Sequence, residues 1–189
     1  LLKQAQYTSC FEHFTKALDS MQLILSDNQE SDCFDVYTNI LRGLAEFYLS
    51  QDQHTEALDQ VNQSLTMIAQ RKEKDDKEFA LSYNIQGRIF LLQGKYADAI
   101  QTIEKALVIL KEVQASYPLE LAKTYYNLAN VYNYLAQYDK VEENSKQSLE
   151  IYSQYYGPRH PEAACVYDML GNANLDKGYN DKALKYYRR

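Results

Sequence analysis

The sequence predicts an all-α protein, an α-solenoid in which antiparallel helical hairpins stack side by side. Three observations predict this fold. The 189 residues include only 6 Gly and 3 Pro, too few for the turns of a multi-stranded β-sandwich. Large apolar residues and 18 Tyr argue against a disordered chain. One residue pattern recurs at a step of 42 positions, which is typical of a repeat array.

The first helix of each hairpin carries a large residue followed four positions later by a small one, as at Tyr83 and Gly87. Residues four apart lie on one face of a helix, so the small residue lets a second helix approach closely. Both positions recur at steps of 42. The large residues are Leu41, Tyr83, Tyr125 and Tyr167, and the small ones are Ala45, Gly87, Ala129 and Gly171.

A short polar turn connects the two helices of each hairpin. It contains Gly94 and Gly178 in two copies, where Gly suits the left-handed backbone at a helix C-terminus. Asp52 and Ala136 occupy the same place in the other copies. A small residue follows on the second helix, for example Ala99. Each hairpin alone would expose an apolar face, so neighbouring hairpins must stack.

The repeat register divides the chain into one array with a cut repeat at each end. Residues 1–34 form a partial repeat, because Gln6–Leu18 align with Lys95–Leu107. The complete repeats and the final partial one span residues 38–79, 80–121, 122–163 and 164–189. We therefore expect 1–189 to be a single array truncated at both ends.

Charge and composition exclude several classes of function. Lys and Arg total 20 against 26 Asp and Glu, a net charge of −6, which disfavours a nucleic-acid partner. No apolar run approaches the roughly 18–20 residues that span a bilayer, so membrane insertion is not expected. Cys10, Cys33 and Cys165 are odd in number and far apart, which favours a reducing, cytoplasmic compartment.

No constellation of residues indicates catalysis or a bound cofactor. His13, His54 and His160 lie in different repeats, and none belongs to a set of three or four His, Cys, Asp or Glu at helical ligand spacing. A zinc site needs three or four converging donors, so no metal site is expected. The chain also lacks a Gly-rich phosphate loop and a GxSxG motif. The sequence therefore predicts a protein that is not an enzyme.

One copy of the repeat resembles the tetratricopeptide repeat in the spacing of its large and small residues. The residues that carry this resemblance are Tyr83, Gly87, Phe90, Gly94, Tyr96, Ala99 and Ala106. The 42-residue step resembles the longer repeats of the kinesin light chain and nephrocystin-3 type. Residues 157–163 (GPRHPEA) are similar to that type's Gly-x-x-His-Pro-x-x-Ala linker. The resemblance implies a right-handed superhelix whose first helices line a concave groove.

Residues at the groove positions of the family are the candidate partner-binding residues. Asn can donate and accept hydrogen bonds at once, so a row of Asn can pair with the main chain of an extended peptide. Chance accumulation of Asn at exposed positions is the alternative, although Asn is a mediocre helix former. The candidates are Arg42, Glu46, Asn84, Arg88, Lys123, Tyr126, Asn127, Asn130, Asn133, Tyr134, Asp168 and Asn172.

The resemblance implies a non-catalytic scaffold that binds a peptide or helical segment of a partner protein as part of a larger complex. It also implies a cytoskeletal, motor-cargo or ciliary setting. The chaperone-tail clamp of some family members is disfavoured, because Glu46 would repel a carboxylate. Two alternatives remain open: a regulatory or sensor region of a larger multidomain enzyme or signalling protein, and homotypic stacking of the chain.

Overall fold

The computed structural model describes residues 12–20, 31–71, 76–113 and 116–189. Cys10, the side chain of Cys33 and much of the predicted partial repeat 1–34 lie outside the described residues. Within those ranges the chain contains helices and turns and no strand, as the sequence predicts. Helix α1 is helical over 12–20. The helices that follow are α2 (Ser31–Ser50), α3 (His54–Gln70), α4 (Asp76–Leu92), α5 (Tyr96–Glu112), α6 (Pro118–Tyr134), α7 (Tyr138–Tyr156), α8 (Pro161–Asp176) and α9 (Asn180–Tyr187).

The helices repeat with the period of the sequence. The second helices of the hairpins, α3, α5, α7 and α9, begin 42 residues apart, at His54, Tyr96, Tyr138 and Asn180. Asp76 and Pro118, where α4 and α6 begin, are separated by the same step. The predicted alternation of helix, short turn and helix is therefore confirmed.

The hairpin turns share one backbone conformation, whichever residue occupies them. Gly94 and Gly178 have φ values of 72° and 80°, which confirms the left-handed backbone predicted there. Asp52 and Ala136 adopt it as well, with φ of 58° and 53°. The residue after each turn closes the helix end, as where the Tyr179 amide donates to the Asn174 carbonyl at 2.8 Å. The repeat thus imposes a strained conformation on two residues that have a β-carbon.

The chain divides into two compact units, residues 1–93 and 94–189. In the first unit, α2 packs against α3 and α4. Gly43 of α2 was not singled out by the sequence pattern, yet a β-carbon there would lie 2.7 Å from Phe14 Cε1 of α1. The core of this unit includes the predicted small residue Ala45 together with Leu49, Ala57, Val61, Ile85 and Ile89.

The second unit contains α5 to α9, which pack in sequence order, each against the next from α5 to α9. The predicted close approach is confirmed at Gly171 of α8, because the Tyr187 ring of α9 lies where a β-carbon would stand. A core cluster between α6, α7 and α8 holds these helices together. It consists of Ala122, Tyr152, Ala163, Val166 and Leu170.

Replacing Ala136 with Gly is expected to raise the free energy of unfolding by about 0.5–1 kcal/mol, because Gly removes the steric cost of positive φ. Urea denaturation followed by circular dichroism measures the change. Ala164→Gly is the matched control, since Ala164 is exposed within α8, and it should lower stability by about 0.5–1 kcal/mol. A loss of stability in both variants would contradict the left-handed turn at residue 136.

Candidate functional site

In the first unit, predicted groove residues contact one another and hold α2 against α4. The Arg42 guanidinium lies 2.6 Å from the Glu78 carboxylate and also donates to Asn39 Oδ1 at 2.5 Å. Four residues along α2, Glu46 accepts a hydrogen bond from Arg88 Nη1 of α4 at 2.5 Å. These charges are therefore neutralised inside the unit.

The two ion pairs differ in burial and hence in their contribution to stability. The Arg42 and Glu78 side chains are only 7% and 5% exposed. Removing one partner of such a pair leaves the other charge buried and unpaired, which typically lowers the stability of the folded protein by about 3–5 kcal/mol. Arg88 and Glu46 are partly exposed, and such pairs contribute about 0.2–1 kcal/mol. Asn84, the fourth candidate of this unit, is buried as well.

In the second unit, candidate residues of α6 form a polar face of mixed exposure. Lys123 and Tyr134 are exposed, and Asn130 and Asn133 are half-buried. Asn127 is buried and so lies outside this face. The Tyr134 ring stacks on Tyr96 of α5, with ring centroids 6.0 Å apart.

Tyr126, also of α6, lies between α6 and α8 beside the core cluster of the second unit. Burial raises the pKa of its hydroxyl, and the nearby Cys165, Asp168 and Glu162 of α8 raise it further. Tyr126 therefore connects the candidate residues of α6 with those of α8.

On α8, Asp168 and Asn172 are exposed and joined to each other. Asn172 Nδ2 donates to Asp168 Oδ2 at 3.1 Å, and the Tyr187 hydroxyl donates to Asn172 Oδ1 at 2.5 Å. Burial raises the pKa of Tyr187, as do the carboxylates of Asp168 and Asp176. Tyr187 thus contributes to the polar surface of α8, although it was not among the candidate residues.

Two large apolar side chains are exposed at the C-terminal ends of α6 and α8. Tyr134 is 60% exposed and Leu175 is 50% exposed. Leu175 was not among the candidates, although it occupies the repeat position of Asn133, 42 residues earlier. We give the name α6–α8 face to nine of the exposed or half-buried side chains on these two helices. It comprises Lys123, Tyr126, Asn130, Asn133, Tyr134, Asp168, Asn172, Leu175 and Asp176.

A separate cleft of about 460 Å³ lies between α5, α6 and α7 of the second unit. Its walls carry charges of both signs. Lys140 Nζ lies 4.6 Å from the centroid of the Tyr132 ring. Burial, then Glu104 and Glu143, raise the pKa of Tyr132. No sequence pattern pointed to this cleft, because its charged residues come from two different helices, α5 and α7.

His160 and Cys165 are the His and Cys residues at or near the start of α8. His160 Nδ1 accepts a hydrogen bond from the Glu162 amide at 3.3 Å and so caps the start of α8. Cys165 is an exposed free thiol.

Among the described residues, no three His, Cys, Asp or Glu side chains gather into a group that could hold a metal ion. None of the described helices combines the length and the apolar character needed to cross a bilayer.

Comparisons with known proteins match most of the chain. The family model of the tetratricopeptide repeat matches residues 37–112 and 120–189. Protein KINESIN LIGHT CHAIN-RELATED 1 of Arabidopsis thaliana is 23% identical over 155 residues, which cover 78% of this chain. The chain spans only 25% of that relative's length.

Solved structures share the fold at low sequence identity. BtubC (BKLC) from P. vanneervenii superposes with a TM-score of 0.81 at 17% identity, covering 98% of this chain and 70% of that one. Aspartyl phosphate phosphatase F from Bacillus subtilis superposes with a TM-score of 0.72 at 18% identity, covering 95% and 48%. These likenesses confirm the predicted all-α solenoid of helical hairpins.

Replacing Arg42 with Met is expected to destabilise the protein by about 3–5 kcal/mol, because it leaves the buried Glu78 carboxylate without its cation. The double variant Arg42→Met/Glu78→Leu should recover most of that loss. Chemical denaturation of the variants measures both effects. Arg88→Met, at the partly exposed pair, serves as the control and should cost about 1 kcal/mol or less. Equal losses in the single and double variants would show that the charge pair is not the cause.

Proposed function

The chain belongs to the tetratricopeptide repeat family, and we propose that it is a non-catalytic interaction module whose α6–α8 face holds a segment of a partner protein. The exposure of Tyr134 and Leu175 is the observation that carries the proposal. Tyr is enriched among the residues that contribute most to binding at protein interfaces, so the exposed Tyr134 ring offers an anchor for a partner.

The polar residues beside these two side chains suit an extended partner. Asn130 has an amide group that can donate to and accept from a peptide main chain without reading its side chains. The Oδ1 atom of Asn133 is buried, so this residue is not proposed as an acceptor. Tyr134 supplies apolar area with few torsions to restrict on binding. We therefore propose main-chain pairing by Asn130 and anchoring by Tyr134 and Leu175.

The first unit is proposed to support the array more than to bind the partner. Its candidates Arg42 and Glu46 are engaged with Glu78 and Arg88. A partner that displaced these side chains would have to replace the ion pairs they make. This cost favours the second unit as the binding surface.

We further propose that the module acts in the cytoplasm, in a cytoskeletal, motor-cargo or ciliary assembly. The supporting likenesses are to a kinesin light chain-related protein and to the BtubC (BKLC) structure.

A regulatory or sensor region of a larger multidomain enzyme or signalling protein is the second candidate function. The likeness to aspartyl phosphate phosphatase F favours it, because that protein carries the same fold over about half of its chain. Protein neighbours identified by crosslinking mass spectrometry in the native cell distinguish the two candidates. Cytoskeletal or motor proteins would support the first, and signalling proteins the second.

The probes are peptides selected from a random display library for binding to the wild-type protein. Replacing Tyr134 with Ala is expected to weaken the binding of these peptides tenfold or more. The reason is the loss of an exposed aromatic anchor. Isothermal titration calorimetry with the synthetic peptides measures the effect. Asn130→Ala should weaken binding by about threefold to tenfold, the equivalent of one hydrogen bond.

Tyr155→Ala is the matched control, because Tyr155 is an equally exposed Tyr on α7, away from the α6–α8 face. It should leave affinity within about twofold of the wild type. Circular dichroism checks that all variants retain their helices. Peptide binding that is unaffected by Tyr134→Ala and Asn130→Ala would overturn the proposed surface.

A further inference from the structure

We propose that the segment held on the α6–α8 face is extended and basic, with two Lys or Arg residues four positions apart. The inference rests on the proposed function and adds the chemistry of the partner. Three observations carry it: the acidic charge of α8, the absence of described cations paired with Asp168 and Asp176, and the position of Asp176 at the helix end.

All the charged residues of helix α8 are acidic. Its residues include Glu162, Asp168 and Asp176 and no Lys or Arg. Asp168 and Asp176 are exposed, with Asn172 between them on the same helix face. Eight residues of helix separate these two carboxylates by about 12 Å. An extended chain covers that distance in about four residues, which sets the proposed spacing of the basic side chains.

These carboxylates have no cationic partner in the described part of the chain. Asp168 and Asp176 take part in none of its ion pairs. Lys177 directly follows Asp176, yet its amine lies 2.7 Å from Asp139 and 3.5 Å from Glu142 of α7. The nearest cation along the sequence is therefore engaged on another helix. In the first unit, by contrast, Glu46 and Glu78 are each paired with an Arg.

The position of Asp176 is unfavourable for the helix itself. It is the last residue of α8, whose final turn contains no basic side chain. A carboxylate at a helix C-terminus opposes the helix dipole, so it does not serve helix stability. A cationic group on a partner would relieve this local excess of negative charge. Charge complementarity at Asp176 thus favours a basic partner over an acidic or neutral one.

Hydrogen bonds hold the acidic surface in place before a partner arrives. Asn172 donates to Asp168, and the Tyr187 hydroxyl in turn donates to Asn172. A side chain that is already oriented loses less conformational freedom on binding. The Tyr134 ring on α6 offers a further site for a cation, over its exposed face.

Lys123 is the one cation of the α6–α8 face, and it limits where the basic residues can lie. It occupies the repeat position of Cys165, 42 residues later, and so stands toward the N-terminal end of the face. Asp168 and Asp176 extend from there to the C-terminal end. The basic residues of the partner are therefore expected opposite these two carboxylates and not beside Lys123.

The test uses the peptides selected from the display library in the preceding experiment. Peptides whose binding depends on Tyr134 should be enriched in Lys or Arg pairs four positions apart. Replacing both basic residues with citrulline, a neutral analogue of Arg, should weaken binding at least tenfold at 50 mM salt. Raising the salt concentration to 300 mM should weaken the parent peptide much more than the citrulline peptide.

Two charge-removing variants locate the effect on the protein. Asp168→Asn and Asp176→Asn should each reduce affinity for the basic peptide about threefold to tenfold and leave the affinity for the citrulline peptide unchanged. Glu150→Gln is the matched control, because Glu150 is exposed on α7. It should change neither affinity by more than twofold. Retained helical signal in Asp176→Asn is expected, since Asp176 opposes the helix dipole.

The outcomes separate this inference from the proposed function. The inference that the partner is basic would be overturned if Tyr134-dependent peptides lacked basic residues, or if Asp176→Asn left their affinity unchanged. The proposed binding surface would then still stand. Binding that ignores Tyr134 altogether would overturn the surface and the inference together. Self-association in light scattering that is lost in Tyr134→Ala would identify a second copy of the chain as the occupant and overturn the inference.

Discussion

The close approach of two helices at one small residue is the constraint on which each hairpin depends. At Gly171 the Tyr187 ring of α9 occupies the space that a β-carbon would need. At the equivalent position in the first unit, Ala45 is fully buried against the core. Burial of the apolar helix faces follows from this approach, because a larger residue would hold the helices apart and expose them to water. The strained φ at Asp52 and Ala136 persists for the same reason: the turn must bring the second helix back onto the first.

The same repeat positions carry different chemistry in the two units. Position 46 and its equivalent 88 hold Glu and Arg, which join into an ion pair between α2 and α4. The next two equivalents, Asn130 and Asn172, are neutral. At these positions the second unit has amides where the first has an ion pair, while Ala122 of α6 and Val166 of α8 belong to one apolar core cluster. A solenoid can make this division because each repeat contacts only its neighbours.

Much of the fold was predictable because it depends on local and periodic features. The helix starts at Tyr96, Tyr138 and Asn180 follow the 42-residue step, and the turns at Gly94 and Gly178 follow from the residue type. The candidate site was harder to predict. Arg42, Asn84 and Asn127 occupy groove positions of the family and are nevertheless buried, because a repeat position specifies a helix face and not how far a neighbouring helix covers it. Leu175 and Tyr187 were not among the candidates, and their exposed fractions of 50% and 44% depend on how the neighbouring helices cover them.

The sequence by itself determined the class of the protein: its periodicity dictates helices, their order and the contacts between successive hairpins, since these arise from residues close along the chain. Only the tertiary structure decided which polar side chains are engaged and which face solvent. Arg42 and Glu78 lie on different helices, as do Lys177 and Asp139, and no periodic pattern encodes their pairing. Electrostatic partners are set by distances in space. Only those distances revealed that Asp168 and Asp176 of α8 take part in none of the ion pairs of the described residues.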